Sequence, residues 1–318
     1  MAVLFVFVDG LGAGARDPAV NPLAREEFLL SRFEDGTGAR LPAGGRAALA
    51  DACLGVPGRP QSATGQSTIL SGENAPLALG RHLLGFPNAA LREWLASRSI
   101  FRRLAREGRR AAFANAYPVA HLRALGLPAE GEPEFDLRVL RRRARPSATT
   151  VAFAAGGGRF RTWGEAREGR ALTADITGTR ANGYGAGIPR RSPEAAARIL
   201  LDLARGSDLT LFEFFESDEA GHAQSMERAL EVLRRLDRFL RALVDRLPAG
   251  ESLVVASDHG NLEDLSSRNH TRAPVPVLGF GPAARRVCEV RDLTHLAPLL
   301  SDLAVSRRPR RAGERPIC

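Results

Sequence analysis

The chain has 318 residues, enough to bury a large core as one α/β domain or as a domain with a small insertion. Hydrophobic residues make up 44% and charged residues 25%, the balance of an ordinary globular protein, and no apolar run approaches the ~18 residues of a membrane span. The formal net charge is +9 and every basic side chain is Arg; without Lys, Schiff-base chemistry is excluded, and a phosphate clamp must come from Arg, backbone N–H groups or metal.

Ala2–Val8 reads as a buried strand rather than a signal peptide, since it lacks a basic flank and runs straight into Asp9-Gly10. The turn that follows, Gly10-x-Gly12-x-Gly14, does not have the dinucleotide spacing G-x-G-x-x-G, and Asp9 would repel a pyrophosphate unless metal intervened. Residues 15–60 are loop-rich. Ser67–Leu70 predicts a short helix, Leu91–Glu107 a helix stopped at Gly108, and Ala111–Ala114 a strand. Residues 115–168 are the least regular part and read as a small inserted cap, with a helical element near 136–143 inside the basic run Arg138–Arg145. Ala171–Ile176 is expected to return as a strand. Ser192-Pro193-Glu194 opens a helix to about Arg205, with Ser at the N-cap and Pro at the first helical position. Leu209–Phe215 is an apolar strand ending near Asp218. Gln224–Leu247 is an amphipathic helix with Leu230, Leu233, Leu236, Phe239, Leu240 and Leu243 on one stripe. Leu253–Ala256 and Val275–Phe280 are further strands, and the Arg- and Pro-rich residues 307–318 are expected to be a disordered tail.

Strands alternating with helices predict a three-layer α/β/α sandwich with a largely parallel central sheet. The core is then 1–114 and 169–306, with 115–168 as the cap. Cys53, Cys288 and Cys318 form no CxxC pair, so neither a disulfide framework nor a zinc knuckle is indicated, and a reducing cytoplasm is the default compartment. The positive charge would attract nucleic acid or an anionic substrate. Because Arg accompanies abundant Ala, Gly and Pro, the pattern of a GC-rich coding bias, no nucleic-acid partner is expected.

Asp9, Asp218 and Asp258 each follow an apolar strand. In a parallel sheet the C-terminal strand ends form one functional edge, where residues distant in sequence meet. His222 lies four residues after Asp218, His259 adjoins Asp258, and His270 follows by a short loop. Three of the chain's six histidines thus fall beside these carboxylates, a hard-oxygen and imidazole set suited to divalent metal. His82, His121 and His295 read as ordinary structural residues. A nucleophile is sought in the hydroxyl-dense stretch Pro60–Gly72, where Ser62, in the turn ahead of the predicted helix, would point its oxygen at that helix's anion-favouring N-terminus.

The order Asp9, Ser62 ten residues before Gly72, Asp218-x-x-x-His222, Asp258-His259-Gly260-Asn261 and His270-Thr271 resembles the alkaline phosphatase superfamily. Its nearest likeness is to the cofactor-independent phosphoglycerate mutase and phosphopentomutase branch, over roughly residues 1–110 and 170–282. The resemblance implies two divalent ions, Mn²⁺ by preference or Zn²⁺. Asp218, His222 and His270 would hold one; Asp9, Asp258 and His259 the other, with Ser62 as nucleophile and ligand on the second. It also implies phosphomonoester hydrolysis through a phosphoserine, on a small phosphorylated substrate. The alternative is a phosphomutase acting on a sugar phosphate or phosphoglycerate. Gln66 stands where the mutase branch carries His, and the chain has room for a small cap in place of a large second domain. Arg190 and Arg191 are the candidate substrate contacts. A sulfatase would need Cys or Ser where Gly55 precedes Val56-Pro57-Gly58-Arg59. A basic non-enzymatic binding protein or a metal-bound pseudoenzyme is the reading of another class.

Overall fold

Val3–Val8 (β1) is buried along its whole length on both faces. Leu4, Val6 and Val8 enter one hydrophobic cluster while Val3, Phe5 and Phe7 enter a second. A strand with two apolar faces can lie only in the middle of a covered sheet, and β1 does so in the computed structural model, which describes residues 2–134 and 144–306. The six-stranded sheet has the order β2-β8-β7-β1-β6-β3, where β2 is Arg46–Ala50, β3 Ala111–Phe113, β6 Leu209–Phe214, β7 Ser252–Ser257 and β8 Val275–Phe280. β7, β1, β6 and β3 are mutually parallel; β8 alone runs against the rest, pairing antiparallel with both β7 and β2. Helices on the two faces complete the α/β/α sandwich.

One face is covered by Pro193–Ala204 and Met226–Asp245. Ser192 and Ser225 cap these helices, accepting from Ala195 N and Arg228 N. The predicted stripe of the second helix is buried at Leu233, Leu236, Phe239, Leu240 and Leu243, with Leu230 partly buried against the same cluster. Burial of each such side chain is worth roughly 1.5–3 kcal/mol, so the stripe fixes the helix to the sheet. The opposite face is covered by Ser62–Ser71, Ile100–Arg106, Ala148–Ala155 and Leu296–Val305.

Four expectations are corrected. The helix predicted over 91–107 is two helices, Ala89–Arg98 and Ile100–Arg106. Ser99 breaks it at ψ 133°, its hydroxyl capping Phe101 N while donating to Ala152 O. Residues 171–176 do not form a strand. Only a bridge between Leu172 and Asn115 survives, because Ile176 turns to φ 69° and the Asp175 carboxylate captures Arg180 N and the Thr177 hydroxyl. The loop-rich 15–60 region contains β2, a half-exposed edge strand. The short helix at Ser67–Leu70 starts five residues earlier, at Ser62.

Residues 115–168 divide in their packing. Phe153 and Phe160 join the sheet-covering cluster, with ring centroids 5.1 Å apart and Phe153 5.8 Å from Phe113. Beyond them, β4 (Ala116–Tyr117) pairs with β5 (Arg161–Thr162), and Trp163 and Ala166 build a small cluster with Ala171, Ala181, Ala186 and Ile188. The helix expected near 136–143 and the tail 307–318 lie outside the described residues. Among those described, Cys53 and Cys288 are free thiols, and no helix is long and apolar enough to cross a membrane.

Candidate metal centre

The parallel strands deliver their acids to one edge. Asp9 follows β1, its N–H donating to Phe214 O at 2.9 Å, and Asp258 follows the neighbouring β7. Asp218 and His222 sit one turn apart on the helix Glu216–Ala223 rather than at the strand end, so both face the same side. That helix is pinned to the end of β1 by Ser217, whose hydroxyl donates to Asp9 O at 2.5 Å. Ser62 is the first residue of its ten-residue helix.

All three histidines turn the same way. Nδ1 of His222 meets Arg268 O at 2.7 Å, Nδ1 of His270 meets Pro60 O at 3.1 Å, and Nδ1 of His259 lies 3.4 Å from Gly260 O. A ring that donates Nδ1–H to a carbonyl leaves the Nε2 lone pair free to bind metal. The Nε2 atoms converge. His222 Nε2 is 3.3 Å from His270 Nε2 and 3.2 Å from Asp218 Oδ2, and His270 Nε2 is 3.6 Å from Asp218 Oδ1. On the other side, His259 Nε2 is 2.9 Å from Ser62 Oγ, 3.3 Å from Asp9 Oδ1 and 3.5 Å from Asp258 Oδ2. The His259 and His270 rings stack at 3.7 Å, so the two clusters adjoin. Each cluster could hold one ion. The structure therefore brings together Asp9, Ser62, Asp218, His222, Asp258, His259 and His270.

The electrostatics call for cations. Asp258 and His259 are fully buried, and the buried oxygens Asp9 Oδ1 and Asp258 Oδ2 have no hydrogen-bond donor. Such orphaned carboxylate oxygens are costly unless a positive charge meets them. Burial, with Asp9 beside it, pushes the Asp258 carboxyl well up. Burial alone would lower the His259 imidazole, but Asp258 and Asp9 outweigh it and push it up to about 10. A proton on His259 thus stands in for the cation the acids demand. His270, buried and facing His259, is pushed down to about 4 and stays neutral. Three carboxylates and a Ser62 alkoxide would balance two divalent ions.

Further residues support the cluster. Glu263 is buried; its Oε2 accepts from Gly12 N and Asn261 N, both at 2.8 Å, and its Oε1 from the Thr271 hydroxyl. Asn261 Nδ2 in turn holds Asp218 Oδ1 at 2.7 Å. The glycine turn is explained by this packing. A Cβ on Gly10 would lie 2.5 Å from Asp218 Oδ1, and one on Gly12 2.5 Å from Glu263 Oε1. Glu213, on β6, is pushed up to about 8 by burial and by Asp9. Gln66 Nε2 lies 3.4 Å from Asp9 Oδ2. Sequence reasoning missed Glu213 and Glu263. The signal for the first was an acid inside an apolar strand; for the second, an acid two residues beyond Asp258-His259-Gly260-Asn261.

Arg190 is exposed, and Arg191 is committed elsewhere, donating to Ala166 O at 2.7 Å and so holding the end of the Trp163–Arg167 helix. His82, His121 and His295 stay apart from the cluster: His82 Nε2 meets Val56 O, His121 stacks on Tyr117, and His295 adjoins Asp292.

The sequence pattern of the Metalloenzyme superfamily matches residues 144–304, half of the chain. A 2,3-bisphosphoglycerate-independent phosphoglycerate mutase of Halobacterium salinarum is 33% identical over 132 residues, covering 38% of this chain but 26% of that enzyme. The chain thus matches about a quarter of such a relative's length. Among solved structures, the PH0037 protein of Pyrococcus horikoshii superposes with a TM-score of 0.57 at 15% identity, covering 98% of each chain. The cold-active alkaline phosphatase of a psychrophilic Shewanella gives 0.52 at 14%, covering 96% of this chain and all of that one. These two likenesses speak for the fold, and the pattern match for descent: the chain belongs to the Metalloenzyme superfamily, built on the alkaline-phosphatase-like α/β sandwich.

Proposed function

We propose that this protein is a metal-dependent phosphoryl-transfer enzyme that hydrolyses phosphomonoesters through a phosphoserine at Ser62. The observation that carries the reading is the convergence of Ser62 Oγ, Asp9 Oδ1 and Asp258 Oδ2 on His259 Nε2 within 2.9–3.5 Å, at the start of a ten-residue helix. Two buried carboxylates, each with one oxygen lacking a hydrogen-bond donor, beside a hydroxyl are a place where cations lower the cost of burial. In this reading Asp218, His222 and His270 hold one divalent ion. Asp9, Asp258, His259 and Ser62 hold the other; the mixed oxygen and imidazole donors suit Mn²⁺ or Zn²⁺, and the resemblance to the mutase branch favours Mn²⁺. When bound, such ions lower the pKa of a hydroxyl and neutralise phosphoryl oxygens.

The chain's own residues do the rest. The free N–H groups at the start of the Ser62–Ser71 helix face the incoming phosphoryl group. Ser62 Oγ forms the new bond to phosphorus as the bond to the alcohol oxygen breaks; water later releases phosphate and restores the hydroxyl. Asn261 and Glu263 hold the ligand loops in place throughout. The cap in this reading is the part of residues 115–168 around β4, β5 and Trp163, outside the layer that covers the sheet. The names of the curated relatives favour a phosphomutase as second reading. The two differ in product: free phosphate for a hydrolase, an isomeric phosphate ester without free phosphate for a mutase.

The test is acid-quenched turnover of metal-loaded enzyme followed by peptide mass spectrometry. Phosphate is expected on the peptide containing Ser62, and Ser62→Ala should abolish both label and turnover while metal content persists. Phosphate on another residue, or near-normal turnover by Ser62→Ala, would sink the assignment.

A further inference from the structure

Beside the metal ligands, over the C-terminal ends of β6 and β3, lies a cavity of about 170 Å³ with Trp163, Asp175, Arg180, Tyr184, Glu213 and Phe215 in its lining. Its position relates it to the chemistry. β6 is the immediate neighbour of β1, which ends at Asp9, and adjacent strands are only about 5 Å apart. Glu213 pairs in register with Phe7, two residues before Asp9, and lines the cavity. Phe215 leads directly into the helix that carries Asp218 and His222. A phosphate ester seated at Ser62 would have this cavity beside its alcohol portion.

The lining has a definite chemical character. Trp163, Tyr184 and Phe215 offer aromatic surface, and Tyr184 is 63% exposed, a large ring left uncovered. The charged lining groups are Asp175, Glu213 and Arg180. The Arg180 guanidinium is already engaged: it lies 2.5 Å from Glu219 Oε2, 3.9 Å from Glu216 Oε1 and over the Phe215 ring at 5.0 Å. No uncommitted cation among the lining residues is left to receive a carboxylate; Asp175 brings an acid, and the buried Glu213 carboxyl brings no positive charge. A leaving group bearing its own negative charge would meet the Asp175 carboxylate without a free counter-charge. A ring with an apolar C–H face and hydroxyl groups would stack on the aromatics and hydrogen-bond the Asp175 and Glu213 carboxyl groups.

Resting on the phosphoryl-transfer reading above, we propose that this cavity is the leaving-group site and that it takes an uncharged, hydroxyl-bearing ring, as in a sugar phosphate, in preference to a carboxylate-bearing alcohol. The experiment has two arms. In the first, kcat/KM of the metal-loaded enzyme is compared for glucose 6-phosphate and 3-phosphoglycerate, in wild type and Tyr184→Ala. Wild type should favour the sugar ester by at least about tenfold, about 1.4 kcal/mol, and Tyr184→Ala should bring the ratio toward one. In the second arm, saturation-transfer NMR on Ser62→Ala protein follows the free alcohols glucose and glycerate. Signal transfer to glucose, lost on adding Tyr184→Ala, and none to glycerate, is expected. A ratio near one or favouring phosphoglycerate in wild type, or a ratio indifferent to Tyr184→Ala, overturns the proposal. If neither ester is turned over, phosphoryl transfer is the reading that fails, and the NMR arm alone decides the cavity: glucose transfer that depends on Tyr184 upholds it, and its absence overturns it. Should Tyr184→Ala fail to fold by circular dichroism, Tyr184→Leu keeps bulk while removing the stacking ring and gives the same readouts.

Discussion

Glu263 offers the sharpest separation between a residue that binds and one that positions. Its carboxylate is buried and accepts three hydrogen bonds, from Gly12 N and Asn261 N at 2.8 Å each and from the Thr271 hydroxyl. These three donors belong to the turn after Asp9, the loop after Asp258-His259 and the residue after His270. Glu263→Ala orphans two buried backbone N–H groups and one hydroxyl, each costing roughly 1–3 kcal/mol. The sum, about 3–9 kcal/mol before any cavity cost, is a large share of the roughly 5–15 kcal/mol typical of a whole domain. Glu263→Gln keeps the volume. Its amide oxygen can accept from the two backbone N–H groups while its NH₂ donates to the Thr271 oxygen, so most of the loss should be recovered. Urea unfolding of metal-free protein reads the stability, and isothermal titration with Mn²⁺ reads the metal affinity. The Ala variant should lose both, and the Gln variant should regain both. An Ala variant within about 1 kcal/mol of wild type would refute the three-way clamp. A Gln variant as damaged as Ala would show that the charge matters rather than the hydrogen bonds.

Glu213 has its folded pKa raised from 4.5 to about 8 by burial and Asp9. The folded state therefore keeps a proton that the unfolded state loses, and metal-free stability should fall between pH 4.5 and 8 by up to about 5 kcal/mol, at 1.36 kcal/mol per unit. Glu213→Gln should remove that slope, giving little difference below the unfolded value and a more stable variant above 8; parallel stability curves for the two proteins count against it. His222→Ala should leave about one ion per chain by elemental analysis, since Asp9, Asp258 and His259 remain; two tightly held ions would contradict the grouping. In Gly260→Ala, the new Cβ would lie 2.2 Å from both Glu263 Oε1 and Thr271 Oγ1, which bond each other and have little room to part. Thermal unfolding should show a loss of roughly 1–3 kcal/mol, and an unchanged midpoint would mean that the clamp yields freely.

The convergence of the proposed ligands could be read from the chain because its determinants are local. An apolar strand must end somewhere, and an acid immediately after it can hardly avoid the C-terminal edge, so Asp9 and Asp258 announced their own positions. Asp218 and His222 were legible by their four-residue spacing, although that spacing proved to be helical. What could not be read depends on contacts between segments distant in sequence. β2 is an edge strand of Arg, Ala and Leu without β-branched or aromatic residues, so its sequence carries little strand preference apart from its pairing with β8. Ala171–Ile176 alternates like a strand, yet the Asp175 side chain outcompetes the ladder by binding Arg180 N five residues on. Gly10, Gly12 and Gly14 read locally as a turn, and their purpose appears only once Asp218 and Glu263, more than 200 residues away, lie against them. The same distinction governs function. The chemistry proposed at Ser62 rests on residues beside strand ends, whose meeting is expected from their order along the chain. The proposed choice of leaving group rests on Trp163, Asp175, Arg180 and Tyr184, in a segment without regular periodicity, whose side chains come to line one cavity with Glu213 of β6 only in the folded chain. Substitutions at the strand ends should therefore change whether the enzyme turns over, and substitutions in the cavity which ester it turns over.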